Sequence, residues 1–237
     1  MNPDRTAGTP RRRPVQKRSI ERFERLLDAC AELLDEAGYA ALTTKEVARR
    51  AGVPIGTLYQ FFSDRQGLTG ALAARNLESY LERVADRLER EAPGGVAGLV
   101  EVAVDEFVAM RRTVTGFGVV DFGAAGQDHL LEPDRDNNTA VAGRLRALTA
   151  SLTGVQDDAD LEIAVRVALE CADGVLRLAF RTDPEGDPQL IAECKRVLDS
   201  YLTARIPYLT GRQLKRRGAD PALRPRTAPG TDVAAEG

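Results

Sequence analysis

Apolar positions recur every three or four residues along most of this chain. From Ser19, the residues Ile20, Phe23, Leu26, Leu27, Cys30, Leu33, Leu34 and Ala37 trace one stripe of an amphipathic helix, and Gly38 is placed to end it. Thr43 followed by Glu46 has the spacing of a capping box, in which each side chain satisfies a backbone donor left open at a helix start. A second helix is therefore expected from there to Ala51-Gly52. Pro54, tolerated in a first helical turn, opens a third that runs to Phe61 or Phe62. Ser63 with Gln66 repeats the capping-box spacing and starts a longer helix carrying Leu68, Leu72, Leu81, Val84 and Leu88, which Pro93-Gly94-Gly95 breaks.

Beyond that break the helical period continues. Val96, Leu99, Val100, Ala103, Val104, Phe107 and Val108 form one stripe, and Val141, Leu145, Leu148 and Leu152 form another, with an irregular glycine-containing stretch between them. Residues 159–181 are apolar on nearly every face, which predicts a helix buried on most sides. A connector at 183–188 leads to a last helix marked by Leu190, Ile191, Cys194, Val197, Leu198, Tyr201, Leu202 and Ile206. No strand-like alternation occurs, so the fold class is all-α. The expected organisation is a basic arm over 1–18, a small helical domain over 19–68, a larger helical domain over 69–210 and a tail over 211–237. Both ends are rich in Pro and Gly without a helical period, and are expected to be disordered.

Charge changes this picture more than composition does. The net charge of -3 divides into +5 on residues 1–18, +3 on residues 211–237 and -11 on the body between them. An acidic body is not a general nucleic-acid binder, although a basic arm holds phosphates locally. Cys30, Cys171 and Cys194 are odd in number and widely spaced, which argues against a disulfide framework and a zinc site. His129 is the only histidine, so no metal is expected, and Asp157, Asp158 and Asp160 are explained by a helix start. There is no signal-like or membrane-spanning run, so a cytoplasmic protein is expected. The absence of nucleophile-elbow, zinc, P-loop and dinucleotide-binding motifs leaves little on which to build an enzyme or a cofactor site.

The stretch TTKEVARRAGVPIGTLYQFFSD, residues 43–64, carries a more specific message. Two helices that cross closely need a small residue in the first and a permissive one in the turn, and Ala48 and Gly52 stand in those places. Val47, Ala51, Val53, Leu58 and Phe61 then point inward. Ile55, Gly56, Thr57, Tyr59 and Gln60 face outward, where a recognition helix meets a major groove. With the helix before it and LYQFFSDRQGL at its end, this segment resembles the DNA-binding domain of the TetR (tetracycline-repressor) family of bacterial transcriptional regulators.

That resemblance implies a homodimer that binds a palindromic operator and is released by a small-molecule effector. It also implies that Thr44, beside Lys45, holds a phosphate, that Thr57 and Tyr59 contact base methyls and phosphate, and that Arg65 takes the place of a phosphate-anchoring lysine. Gln60 has the groups to bond adenine. Pro54 and Ile55 depart from the family pattern of Ser and Lys, leaving the recognition helix uncharged and Ile55 suited to a thymine methyl. Because residues 19–68 sum to -2, phosphate affinity is expected to lean on Arg11, Arg12, Arg13 and Lys17 of the arm. The last two helices resemble the family's dimer bundle, with Leu176, Phe180, Leu198, Tyr201 and Leu202 as expected cross-dimer contacts, and Gly174 marks either a close helix approach or a local kink. Candidates for the effector pocket are Phe107, Met110, Arg111, Phe117, Phe122, Arg166, Glu170 and Cys171, with His129 a weaker one. Arg166 and Glu170, four apart, fit either ligand contacts or a structural ion pair. The competing reading is a helical interaction or small-molecule-binding protein without DNA binding.

Overall fold

The computed structural model of the chain describes residues 17–118 and 134–219. All regular elements among them are helices: α1 (Lys17–Ala41), α2 (Thr44–Arg50), α3 (Ile55–Phe61), α4 (Arg65–Glu91), α5 (Gly95–Thr113), α6 (Asp134–Thr153), α7 (Ala159–Thr182) and α8 (Pro188–Ala219). Helical conformation in α1 is interrupted at Gly38, as expected (φ 71, ψ 174). Among the described residues, no helix is long and apolar enough to cross a membrane.

The helix starts follow local chemistry. Thr43 Oγ1 accepts the Glu46 N–H at 3.2 Å, half of the expected capping box; the Glu46 carboxylate bonds Arg49 instead. At α4 the cap is not Ser63 but the next residue: Asp64 Oδ1 accepts the Gly67 N–H at 2.8 Å. A carboxylate is a good N-cap and adds a favourable charge at the positive helix end, so it takes the place from the hydroxyl. At the other end of the chain, α8 continues to Ala219, nine residues past the expected domain end at 210. Residues 211–219 lack an apolar stripe, yet Gln213, Leu214, Lys215, Arg216 and Arg217 are good helix formers.

Two apolar cores hold the helices. One gathers buried residues of α1, α2, α3 and the first turns of α4, from Leu26 to Ala73; the other runs from Leu77 in α4 through α8 to Ile206. In the first, Phe23 of α1 packs on Phe61 and Phe62, with ring centroids 5.6 and 5.2 Å apart, so the aromatic pair closing α3 anchors it to the long helix. The expected domain boundary at 68 falls inside α4, which belongs to both cores. The buried Asn76 lies where they meet.

The expectation of burial around α7 is corrected. Leu161, Ala164, Val165, Ala168, Leu176 and Ala179 are buried, but Ile163, Val167, Cys171, Gly174 and Leu178 are exposed along a second stripe. No described residue lies within 4 Å of where a Cβ would stand on Gly174, so no described helix of the chain packs closely on this glycine. Of the expected cross-dimer residues, Leu176, Leu198 and Leu202 are instead buried in the chain's own second core.

Candidate DNA interface and effector cavity

The turn between α2 and α3 is built by backbone bonds that need a small neighbour. The Val53 N–H donates to Ala48 O at 3.0 Å, and Gly52 takes a left-handed φ of 61° that favours glycine. Val47, Ala48, Ala51, Val53, Leu58 and Phe61 are all buried. On the outer side of α3, Ile55 and Tyr59 are 41% and 46% exposed, Gly56 and Gln60 are exposed, and Thr57 is half-buried. The inward and outward sets thus divide as the spacing predicts. A link that the sequence did not indicate joins the two helices: the hydroxyls of Thr44, at the start of α2, and Tyr59 lie 3.1 Å apart.

Much of the positive charge in this domain is engaged by its own acids. Arg49 bonds Glu46, and Arg50 bonds Glu36; these hydrogen bonds hold both carboxyls below their usual range. Lys45 of α2 is exposed and forms no ion pair with another described residue. Arg65 has a structural task that its expected role did not include. Its Nη1 donates to the carbonyls of Tyr39 and Leu42 at 3.2 and 3.3 Å, and its guanidinium stands 4.1 Å over the Tyr39 ring. It thereby ties the start of α4 to the chain leading into α2. The arm residues Arg11, Arg12 and Arg13 lie outside the described residues.

In the second core, α4, α5, α6, α7 and α8 leave a cavity of about 120 Å³. Its wall is mostly aliphatic, with Leu99, Val104, Leu145, Val165 and Leu198 among the lining residues and Tyr80, Thr149, Glu170 and Asp173 as the polar ones. Phe107 and Glu170 are the pocket candidates that line it. Phe117 is buried against Phe107, centroids 5.4 Å apart and edge to face, while Met110 is core outside the lining. Arg166 and Cys171 are exposed on α7, and Arg166 and Glu170 do not pair with each other. Arg111 stands in a different crevice, 5.3 Å from the Phe180 ring centroid. Phe122 and His129 lie outside the described residues. Tyr80, Thr149 and Asp173 were missed because inward positions of five neighbouring helices look alike in sequence, whether they fill a core or line a hole.

Comparison with known proteins supplies the family. Residues 26–72 match the model described as bacterial regulatory proteins, tetR family, and residues 94–206 match the tetracyclin repressor-like C-terminal domain. A TetR-family transcriptional regulator from Streptomyces coelicolor, known as a crystal structure, is 44% identical, with a TM-score of 0.68 over 77% of this chain and 98% of that one. The chain belongs to the TetR family. The TetR-family match to curated proteins is more local. It is 39% identical over 71 residues to the HTH-type transcriptional regulator YvkB of Bacillus subtilis, covering 29% of this chain and 38% of that protein. It is 30% identical over 121 residues to the HTH-type transcriptional repressor KstR of Mycolicibacterium smegmatis, covering 46% of this chain and 57% of that protein. These matches span less than two thirds of the relatives' lengths.

One further contact of this TetR-family chain joins its two parts. Gly116, just past α5, has φ 74 and donates its N–H to Asp35 Oδ2 of α1 at 2.8 Å. A Cβ there would lie 2.8 Å from the Ala31 Cα, so only glycine allows the end of α5 to rest on α1.

Proposed function

We propose that the chain is a ligand-responsive transcriptional repressor that binds a palindromic operator as a homodimer and releases it when a small molecule fills the cavity. The observation that carries this reading is the outer face of α3. A seven-residue helix leaves an isoleucine and a tyrosine exposed side by side while its other face is fully packed. Such a face fits a major groove, where Ile55 meets a thymine methyl and Gln60 an adenine edge. Thr44, Lys45 and Thr57 border it and Tyr59 reaches the backbone, while Arg65 fixes the orientation of the whole unit.

The exposed stripe of Ile163, Val167, Cys171, Gly174 and Leu178 supports a homodimer built on α7, because it is apolar, continuous and open at the glycine. The similarity to a protein named as a repressor favours repression over activation. No catalytic role is assigned, and a cytoplasmic location follows from action on DNA.

The test is selection of genomic fragments by the purified chain, followed by binding of the enriched fragment over a salt series with wild type and Tyr59→Ala. A short palindrome, a steep salt dependence and loss on substitution are expected. No enrichment at any salt would overturn the reading in favour of a binding protein without DNA.

A further inference from the structure

Among the described residues, the polar side chains on the wall of the cavity offer acceptors and no free donor. The Tyr80 hydroxyl donates to Ala103 O at 3.0 Å, and the Thr149 hydroxyl donates to Leu145 O at 2.8 Å. The other two polar residues, Glu170 and Asp173, are carboxylates, and Asp173 already faces Arg177 at 2.7 Å. Glu170 stands at the edge of the lining with its side chain exposed, and no ion pair or hydrogen bond joins it to another described residue. Among the described residues, no lysine or arginine lines the cavity. The backbone amides of the surrounding helices are engaged in their own ladders.

We infer that the cavity takes a compact apolar molecule bearing a protonated amine, with the ring or chain among the aliphatic side chains and the ammonium at Glu170. This rests on the reading of the cavity as the effector site. The volume fixes the size of the body: about 120 Å³ is near that of an apolar cavity of about 150 Å³ known to hold benzene. The wall fixes the head group. A neutral alcohol can donate one hydrogen bond to it. An ammonium donates and also pairs with the Glu170 charge, whereas a carboxylate or phosphate would enter beside that charge with no cationic side chain of the lining to meet it. Effectors of acid type are therefore selected against by this chain.

The experiment uses benzylamine, benzyl alcohol and benzoate, one ring with three head groups, titrated into the full chain by calorimetry. The expected order is amine, then alcohol, then benzoate, with benzoate at least about tenfold weaker than the amine. Glu170→Gln lowers amine affinity roughly three- to fivefold, the upper end of the scale of an exposed ion pair, and leaves the alcohol unchanged. Ala103→Leu, which fills the cavity, removes binding of all three. The inference is overturned if benzoate binds as tightly as the amine, if Glu170→Gln weakens all three alike, or if none of them binds. Operator release is read separately by fluorescence anisotropy. Amine binding in the expected order without release supports the ligand class and overturns the proposed switch, while operator binding with no amine binding does the reverse.

Discussion

Tyr59 on α3 and Thr44 at the start of α2 share a hydrogen bond of 3.1 Å across the helix-turn-helix. Each residue alone is a candidate DNA contact; joined, they form one surface whose two halves hold each other in place. A bond of this kind contributes about 0.5–1.5 kcal/mol. Tyr59→Phe and Thr44→Val are each expected to weaken operator binding roughly two- to tenfold, and the double variant to lose less than the sum. Simple additivity, read from anisotropy titrations, would mean that the bond does not persist on DNA.

Arg65 separates a structural from an electrostatic role. Its two carbonyl bonds and its place over Tyr39 predict that Arg65→Met lowers stability by about 1–2 kcal/mol in urea unfolding. The slope of operator affinity against salt is expected to stay unchanged. A fall of about one in that slope would instead put Arg65 on a phosphate.

Gly116 makes the contact between the end of α5 and α1 sensitive to a single methyl group. Gly116→Ala combines a left-handed backbone with a clash on Ala31 and is expected to cost about 1–3 kcal/mol. Asp35→Ala removes only the acceptor and is expected to cost about 1 kcal/mol, while Asp35→Asn keeps an acceptor oxygen and stays near wild type. Chemical denaturation ranks the three variants.

The exposed stripe of α7 predicts both oligomeric state and thiol chemistry. Ile163→Glu or Leu178→Glu is expected to convert the dimer to a monomer in sedimentation velocity. Burial pushes the Cys30 thiol up to about 12 and the Cys194 thiol up to about 11, so neither forms much thiolate at mild pH. Cys171 is exposed on the stripe, so one thiol of the Ile163→Glu monomer reacts quickly with a disulfide reagent, and none of the wild-type dimer does. A fast thiol in the wild type would place the dimer contact elsewhere.

The DNA-binding half was legible in the sequence because its rules are local. The Thr43 cap of α2, Gly52 and the inward set Val47, Ala51, Val53, Leu58 and Phe61 each follow from a few neighbouring residues, and the structure bears them out. The second half depends on which helix packs on which, and sequence period alone does not say. Leu176, Leu198 and Leu202 look like interface residues in a stripe, yet they close the chain's own core. Arg166 and Glu170 look like a pair, yet only Glu170 lines the cavity. The cap at Asp64 was missed because two acceptor residues stand side by side, and the charge on the second decides between them.

The helix α4 belongs to both cores, and this makes the molecule a single phased object. Its 27 residues span about 40 Å, with Leu68 and Leu72 seated in one core and Tyr80 on the wall of the cavity. One residue added between Ala73 and Leu77 would turn one end against the other by about 100° and shift it by about 1.5 Å. The sensing half and the reading half are thus exchangeable between proteins only in whole helical register, and the length of α4 is under tighter restraint than the identity of most residues on it.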